Sequence, residues 1–193
     1  MKKFLKYIAV IFGVFTLDFI SKIYVLRLVS AACIKAGNPI DIYNPDIVSS
    51  SNPSNLIEGI RLVFDGYEWV FNFFDFRFVW NKGVSFSAFN NFMPILLIVG
   101  TALIICWLLW YLFKKAAIYE RLPLAFIIGG ALGNLVDRIR FGAVVDFIQF
   151  HIGNFWWFPA VFNVGDVFIT LGVCLYLIRL VINKLHNKRN NKG

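Results

Sequence analysis

Charged residues are scarce in this chain and make up only 16% of its 193 residues. Acidic residues are fewer than basic ones, 11 against 19, which gives a formal net charge of +8. By contrast, 59% of the residues are hydrophobic, 18% are aromatic, and the mean hydropathy is +0.70. A soluble surface cannot be built from this composition, so the sequence predicts an integral membrane protein.

Cysteine and histidine are also rare, with three and two copies. Cys106 and Cys174 lie in the middle of apolar runs, which is typical of small buried residues and not of a disulfide framework. The two histidines belong to no cluster of Cys and His, so a zinc site is not expected. We therefore expect a protein that needs no metal and no cofactor.

The basic residues cluster at three places between apolar runs, near positions 2–6, 114–121 and 179–192. The positive-inside rule puts these connections in the cytoplasm, so both termini should be cytoplasmic. Nucleic acid is not an expected partner, because the sequence offers no basic face on a soluble module.

Four apolar runs reach the ~20 residues that a membrane-spanning helix needs, at about 4–28, 92–113, 122–141 and 163–183. The first resembles a secretory signal peptide, but Asp18, Lys22 and Arg27 would not occur in its apolar core, which predicts a retained helix. Asp18 and Lys22 are four residues apart and should pair on one helical face. In the third run, closely spaced glycines should let helices approach each other.

Residues of about 33–91 separate the first two spans and should be extracytoplasmic. The first part is rich in Pro, Asn and Ser, whereas residues 56–92 are dense in Phe, Val and Trp with partial alternation, which predicts short strands. Aromatic residues at 155–159 predict an interfacial segment over about 147–160. We expect one membrane domain over 1–193, an all-α bundle of four transmembrane helices with a small extracytoplasmic β-rich subdomain.

Three aspartates within thirty residues lie in apolar surroundings, where an ionisable group by default marks a functional site. At a helical rise of ~1.5 Å per residue, Asp137 lies about 24 Å above Arg121 and Asp146 about 37 Å above it if the helix continues. Asp166 lies about 27 Å above Lys184. The hydrocarbon core is ~30 Å thick, so Asp146 and Asp166 should both reach the outer membrane boundary.

Two carboxylates that meet at such a boundary can share one proton, because repulsion and desolvation disfavour two charges. One carboxylate can then activate a water while the other donates a proton to a carbonyl oxygen. This is aspartyl hydrolysis. A Ser-Lys arrangement through Lys22 stays open as an alternative on the sequence alone.

Five short motifs complete the pattern: Asp18-Phe-Ile-Ser21-Lys22, Asn81-Lys-Gly83 with Phe86-Ser87, Gly129-Gly130-Ala131-Leu-Gly133-Asn134 with Asp137-Arg138, Val145-Asp146-Phe147-Ile148, and Phe162-Asn163-Val-Gly165-Asp166. In these motifs and their order the chain resembles the bacterial lipoprotein signal peptidases, also called signal peptidase II, of aspartyl peptidase family A8. Gly165 departs from the alanine usual in that family, Val84-Ser85 replaces a commoner small pair, and residues 36–55 have no clear counterpart.

The resemblance implies a hydrolase of the bacterial inner membrane that removes the signal peptide of prolipoproteins just before the diacylglyceryl-modified cysteine. It puts the catalytic residues at Asp146 and Asp166, on the outer face. It also implies substrate-binding or site-shaping roles for Asp18, Lys22, Asn81, Gly83, Asn134, Arg138 and Asn163. Asp137 is predicted to be structural, because the adjacent Arg138 offers it a partner. The expected partners are a diacylated prolipoprotein and membrane lipid, and the chain is expected to be a monomer.

Two other classes of function compete with this interpretation. A small transporter could use Asp18, Lys22, Asp137 and Arg138 as a polar relay, but it would need inverted repeats or broken helices, and the sequence shows no internal repeat. A non-enzymatic membrane protein could bind a partner through residues 33–92.

Overall fold

The computed structural model of the protein describes residues 2–35, 41–46, 74–83, 93–152 and 156–190. Four α-helices lie in these ranges: α1 (Lys2–Lys35), α2 (Met93–Lys114), α3 (Arg121–Phe141) and α4 (Val164–Asn190). Three strands complete the described structure: β1 (Phe74–Asn81), β2 (Val144–Ile152) and β3 (Trp156–Phe162). All four helices are long and apolar enough to cross a membrane. The predicted fold class, a bundle of four membrane-spanning helices with a small sheet, is confirmed.

The first helix is longer than the predicted span of 4–28, because α1 continues to Lys35. The extra turns are well packed, since Val29 and Ala32 are each 1% exposed and Cys33 is fully buried. The first residues after the predicted span that oppose helix formation are Gly37 and Pro39.

The sheet is antiparallel, with β2 between β1 and β3. Asn81 of β1 pairs with Val144 at one end of β2, and Phe74 pairs with Phe150 towards the other. The sequence predicted strands in the segment that contains β1, while residues 47–73 and 84–92 lie outside the described residues. The sequence did not predict β2 and β3, because the aromatic run around 147–160 predicts an interfacial segment.

The helix α3 ends at Phe141, so the height of Asp146 that was extrapolated along a continuous helix does not apply. Gly142 follows with a positive φ of 71°, and its N–H donates to the carbonyl of Arg138 at 3.0 Å. A glycine in the left-handed conformation is a common helix terminator. The chain leaves the helix here and enters β2, which carries Asp146.

By their contacts the residues divide into two compact units. The helical unit contains Met1–Asp18, Val99–Leu135 and Val164–Gly193, and the sheet unit contains Phe19–Ile98 and Val136–Asn163. The core of the helical unit is formed by apolar side chains of α1, α2 and α3: Tyr7, Ile11, Ile105, Leu108, Leu112, Leu124, Ala125 and Ile128. Many large apolar side chains on the same helices are exposed, as expected for surfaces that face lipid.

Glycines of α3 allow close helix packing in the helical unit, as the sequence predicted. A Cβ at Gly129 would lie 2.9 Å from the carbonyl oxygen of Ile11 in α1. A Cβ at Gly130 would overlap the carbonyl oxygen of Gly165 in α4 and lie 2.9 Å from Ile169 Cγ1. A backbone carbonyl cannot rotate away as a side chain can, so Gly130 has no room for any substituent.

We expect Gly130→Ala to lower the free energy of unfolding by about 1–3 kcal/mol, because the added methyl group forces α3 and α4 apart. Gly100→Ala in α2 is the matched control, since a Cβ there would meet nothing within 4 Å. It should be neutral or stabilising by up to ~1 kcal/mol through helix propensity. Thermal unfolding of both variants in one detergent measures the difference, and equal melting temperatures would contradict the close approach at Gly130.

Candidate active site

Asp146 lies on β2 in the sheet unit, opposite Val79 of β1, and its side chain is almost fully buried at 1% exposure. Each carboxylate oxygen accepts a hydrogen bond from an asparagine amide. Asn81 Nδ2 donates to Oδ2 at 2.9 Å, and Asn163 Nδ2 donates to Oδ1 at 2.7 Å. Two donors from different parts of the chain fix the plane of the carboxylate.

Asn81 is itself oriented by the turn that follows β1. Its Oδ1 accepts the N–H of Gly83 at 2.9 Å, so its NH₂ group is left to face Asp146. Gly83 has a positive φ of 86°, and a Cβ there would lie 2.6 Å from Leu97 Cδ1. The Asn-x-Gly motif therefore holds a carboxylate in place, a role beyond that of a hairpin turn.

Lys22 and Asp137 form a buried ion pair in the sheet unit. The Lys22 Nζ lies 3.0 Å from Asp137 Oδ2, and the two side chains are 2% and 3% exposed. The same Oδ2 accepts the N–H of Val145 at 3.2 Å. Because Val145 immediately precedes Asp146, this pair anchors the start of β2 beside the buried carboxylate.

This partner of Asp137 was missed by the sequence analysis, which paired Asp18 with Lys22 and Asp137 with Arg138. Helix spacing reports only neighbours on the same helix, whereas Lys22 and Asp137 lie on α1 and α3. Arg138 is half-buried near the end of α3, and its carbonyl accepts the N–H of Gly142.

Asp166 lies in the helical unit, in the first turn of α4, and is half-buried. Its Oδ1 accepts a hydrogen bond from Asn134 Nδ2 of α3 at 2.8 Å. A carboxylate in the first turn of a helix also interacts favourably with the helix dipole. As at Asp146, an asparagine amide and a fixed backbone orient the acid.

Asp18 reaches the same helix start from α1. Its Oδ1 accepts the N–H of Gly165 at 2.6 Å, and the residue is fully buried. The first N–H groups of a helix have no partner within the helix, so Asp18 caps α4 from another helix. A Cβ at Gly133 would overlap Asp18 Oδ2, which explains why a glycine stands there.

The sequence-predicted residues thus fall into two groups. The sheet unit brings together Asp146 with Asn81, Gly83 and Asn163, and next to them Lys22 with Asp137. The helical unit brings together Asp166 with Asn134, and Asp18 with Gly165. Among the residues that the structure describes, no group of three or more His, Cys, Asp or Glu side chains could hold a metal ion.

Glu120, a buried acid in the connection between α2 and α3, is a polar core residue that the sequence motifs do not predict. It accepts hydrogen bonds from the N–H of Ala117 at 2.7 Å and from the hydroxyls of Tyr111 at 3.2 Å and Tyr176 at 3.4 Å. The sequence does contain a signal for this residue, because Glu120 is an acid among the basic residues of a short connection. Its contacts brace the connection against α2 and α4.

The sequence profile of the family described as Signal peptidase (SPase) II matches residues 10–182. The chain belongs to this family. Among its relatives, the lipoprotein signal peptidase of Pelagibacter ubique is 33% identical over 198 aligned positions, which cover 100% of this chain and 96% of that protein. The lipoprotein signal peptidase of Anaplasma phagocytophilum is 44% identical over 110 residues, covering 56% of this chain and 69% of the relative.

Two solved structures, both titled as bacterial membrane enzymes studied by the in meso method, also resemble the chain. The one at 1.9 Å resolution has a TM-score of 0.59 and 22% identity, and covers 91% of this chain and 92% of its own; it supports the fold alone. The one at 2.3 Å has a TM-score of 0.51 and 27% identity, and covers 61% and 71%. As a member of the signal peptidase II family with four membrane-spanning helices, the chain is a multi-pass membrane peptidase.

Proposed function

We propose that this peptidase is an aspartyl endopeptidase that cleaves prolipoproteins just before the diacylglyceryl-modified cysteine, with Asp146 and Asp166 as its catalytic pair. The observation that carries the proposal is the buried Asp146 carboxylate, whose two oxygens are held by two asparagine amides. Asp166 is oriented in the same way by Asn134. In addition, Asn163, which holds Asp146, precedes Asp166 by only three residues in the sequence.

The reaction follows from two carboxyl groups that share one proton. The ionised one removes a proton from a water molecule, whose oxygen attacks the carbonyl carbon of the scissile peptide bond. The protonated one donates its proton to the carbonyl oxygen, which gives a neutral tetrahedral intermediate. When the C–N bond breaks, the hydroxyl proton returns to a carboxylate and the leaving nitrogen takes up a proton from the other carboxyl group.

The contacts favour positioning roles for several residues to which the family resemblance gave substrate-binding or site-shaping roles. We propose that Asn81, Asn163 and Asn134 chiefly orient the two carboxylates. Lys22 is 2% exposed and ion-paired, and Asp18 is 0% exposed and caps a helix. We therefore propose that both residues support the site from buried positions and do not contact the substrate. Gly83 and Arg138, which are partly accessible, are the better candidates for contact with the peptide.

The surroundings of the site fit a lipidated substrate. The basic clusters favour cytoplasmic termini, and we propose that the carboxylates lie towards the outer face of the bacterial inner membrane. The acyl chains of a diacylated cysteine stay in the membrane, so the peptide bond next to it is held near that face. We propose that one copy of the chain suffices, because a single chain carries both aspartates and the three asparagines that hold them.

The direct test incubates the purified protein in detergent with a diacylated prolipoprotein and follows both products by mass spectrometry. We expect one cleavage, immediately before the lipidated cysteine, and none in the same precursor without lipid. Cleavage elsewhere, or equal cleavage of the unlipidated precursor, would contradict the proposed substrate. A precursor left intact under all conditions would favour the transporter or the binding protein instead.

The proposed chemistry needs no metal ion, so we expect a chelator to leave the initial cleavage rate unchanged. The measurement compares the rate with and without excess EDTA, after the enzyme has been dialysed against the chelator. A metal-dependent endopeptidase assayed in the same detergent serves as the control and should lose its activity. A rate that falls with EDTA and returns with added zinc or magnesium would overturn the two-aspartate mechanism.

A further inference from the structure

A groove in the helical unit is lined by residues that belong to, or lie between, the basic residues of the three clusters, and by none of the candidate site residues. It is a cavity of about 370 Å³ formed by α1, the connection between α2 and α3, α3 itself and α4. Its lining consists of Lys6, Tyr7, Val10, Ile118, Leu122 and Arg179. These lining residues include two cations and no acid, and the rest are apolar or aromatic.

The apolar part of the groove is open to the surroundings of the protein. Lys6 and Val10 are one helical turn apart and so lie on the same face of α1. Across the groove are Leu122 and Ile118, and the side chain of Ile118 is 74% exposed although it lies in a short connection. An isoleucine so exposed beside two other apolar side chains is suited to contact an acyl chain.

The two cations that line the groove each make a contact that orients the side chain. Arg179 Nη1 donates to the carbonyl of Tyr119 at 2.9 Å, which uses one of the five N–H donors of the guanidinium. The hydroxyl of Tyr119 accepts in turn from Asn183 Nδ2 at 3.0 Å. The Lys6 Nζ lies 4.9 Å from the centroid of the Tyr7 ring, a cation–π distance. Arg and Lys fixed in this way are common ligands of phosphate.

We propose that this groove binds one anionic phospholipid. Its phosphate lies between Lys6 and Arg179, and an acyl chain runs along Val10, Ile118 and Leu122. Basic pockets between membrane helices on the cytoplasmic side recognise anionic headgroups in this way. A zwitterionic lipid fits less well, because its own ammonium group would face the two cations. The binding is separate from catalysis and does not rest on the proposed function.

The test is native mass spectrometry of the whole protein in a neutral detergent, titrated with phosphatidylglycerol or with phosphatidylethanolamine of the same acyl chains. We expect one phosphatidylglycerol per chain to be retained at concentrations where phosphatidylethanolamine is not. The double variant Lys6→Gln with Arg179→Gln should raise the apparent Kd for phosphatidylglycerol roughly 30-fold, since each basic residue near the headgroup contributes several-fold.

The matched control is Lys114→Gln with Lys115→Gln, which removes the same charge from exposed lysines that are close to Ile118 in the sequence and do not line the groove. It should change the Kd less than about threefold, because charges outside the groove act only through screened attraction. Equal weakening by the two double variants would overturn the proposal in favour of diffuse charge. Equal retention of the two lipids would also overturn it.

A second variant tests the proposal independently, in case the double variant does not fold. Ile118→Asp changes one exposed side chain in the connection, so it should leave the melting temperature in detergent close to that of the wild type. It puts a carboxylate on the path of the acyl chain, in a groove that would also hold an anionic headgroup, and should abolish retention of phosphatidylglycerol. Unchanged retention in this variant would overturn the proposal, because the lipid would then bind outside the groove. Dimers that displace the lipid in the mass spectrum would also overturn it, because a second copy of the chain would then occupy the groove.

Discussion

Asp166→Asn should lower kcat/KM for a diacylated prolipoprotein by about 10²–10⁴-fold, the contribution typical of a general acid or base. The substitution keeps the shape of the side chain, and the amide carbonyl of asparagine can still accept the hydrogen bond from Asn134 Nδ2. What is lost is the ability to take up and release a proton. We therefore expect a folded, substrate-binding and inactive protein.

Asp146→Asn should lose activity to a similar extent but also some stability. Both oxygens of Asp146 accept from asparagine amides, and a neutral amide has only one oxygen to offer. One amide donor would then face the new NH₂ group. Asn81 could avoid this only by turning its amide and giving up its bond to the N–H of Gly83. We expect a cost of about 1–3 kcal/mol, as for a buried donor without an acceptor.

The matched control is Asp46→Asn, an aspartate of the sheet unit whose side chain is 88% exposed and pairs with Lys82. A surface ion pair contributes at most ~1 kcal/mol, so this variant should keep both its melting temperature and its cleavage rate. Melting temperatures in detergent and single-turnover cleavage rates separate loss of fold from loss of chemistry. If either Asp146→Asn or Asp166→Asn cleaves at close to the wild-type rate, the catalytic pair is wrongly assigned.

Hydropathy and charge placed the four spans, because length and apolar content alone decide whether a helix can cross a bilayer. The predicted starts and ends of the second and third spans, 92–113 and 122–141, agree with α2 and α3 within one residue. The first helix extends to Lys35, beyond the predicted span of 4–28, and no Gly or Pro occurs between positions 28 and 37. Such ends depend on tertiary packing, as the burial of Cys33 shows.

The strands β2 and β3 could not be predicted from the sequence, for a different reason. The run Val144–Ile152 is mostly apolar and alternates only weakly, and such a run can be a buried strand or an interfacial segment. Its partner β1 is more than sixty residues away in the sequence, so no local sequence pattern indicates that β1 and β2 pair. The same limit applies to Asp146, whose two asparagine donors come from positions 81 and 163.

Lys22→Met should destabilise the protein by about 3–5 kcal/mol, because it leaves the charge of Asp137 buried without its cation. The Nζ–Oδ2 distance is 3.0 Å and both side chains are almost inaccessible, so water cannot replace the lysine. The bond from the Val145 N–H to the same oxygen ties the start of β2 to this pair. We therefore expect a lower melting temperature together with slower cleavage, whereas Lys82→Met, at the exposed pair with Asp46, should shift the melting temperature little.

The double variant Lys22→Met with Asp137→Asn decides whether Lys22 also contacts substrate. Asparagine at 137 carries no charge and keeps an oxygen for the N–H of Val145, so most of the lost stability should return, as it does when a buried ion pair is replaced as a whole. If Lys22 only positions β2, kcat and KM should return with stability. If the lysine binds the peptide directly, the double variant will be stable but will keep a raised KM. The burial of Lys22 at 2% exposure favours the first result, and a stable double variant with raised KM would refute the positioning role.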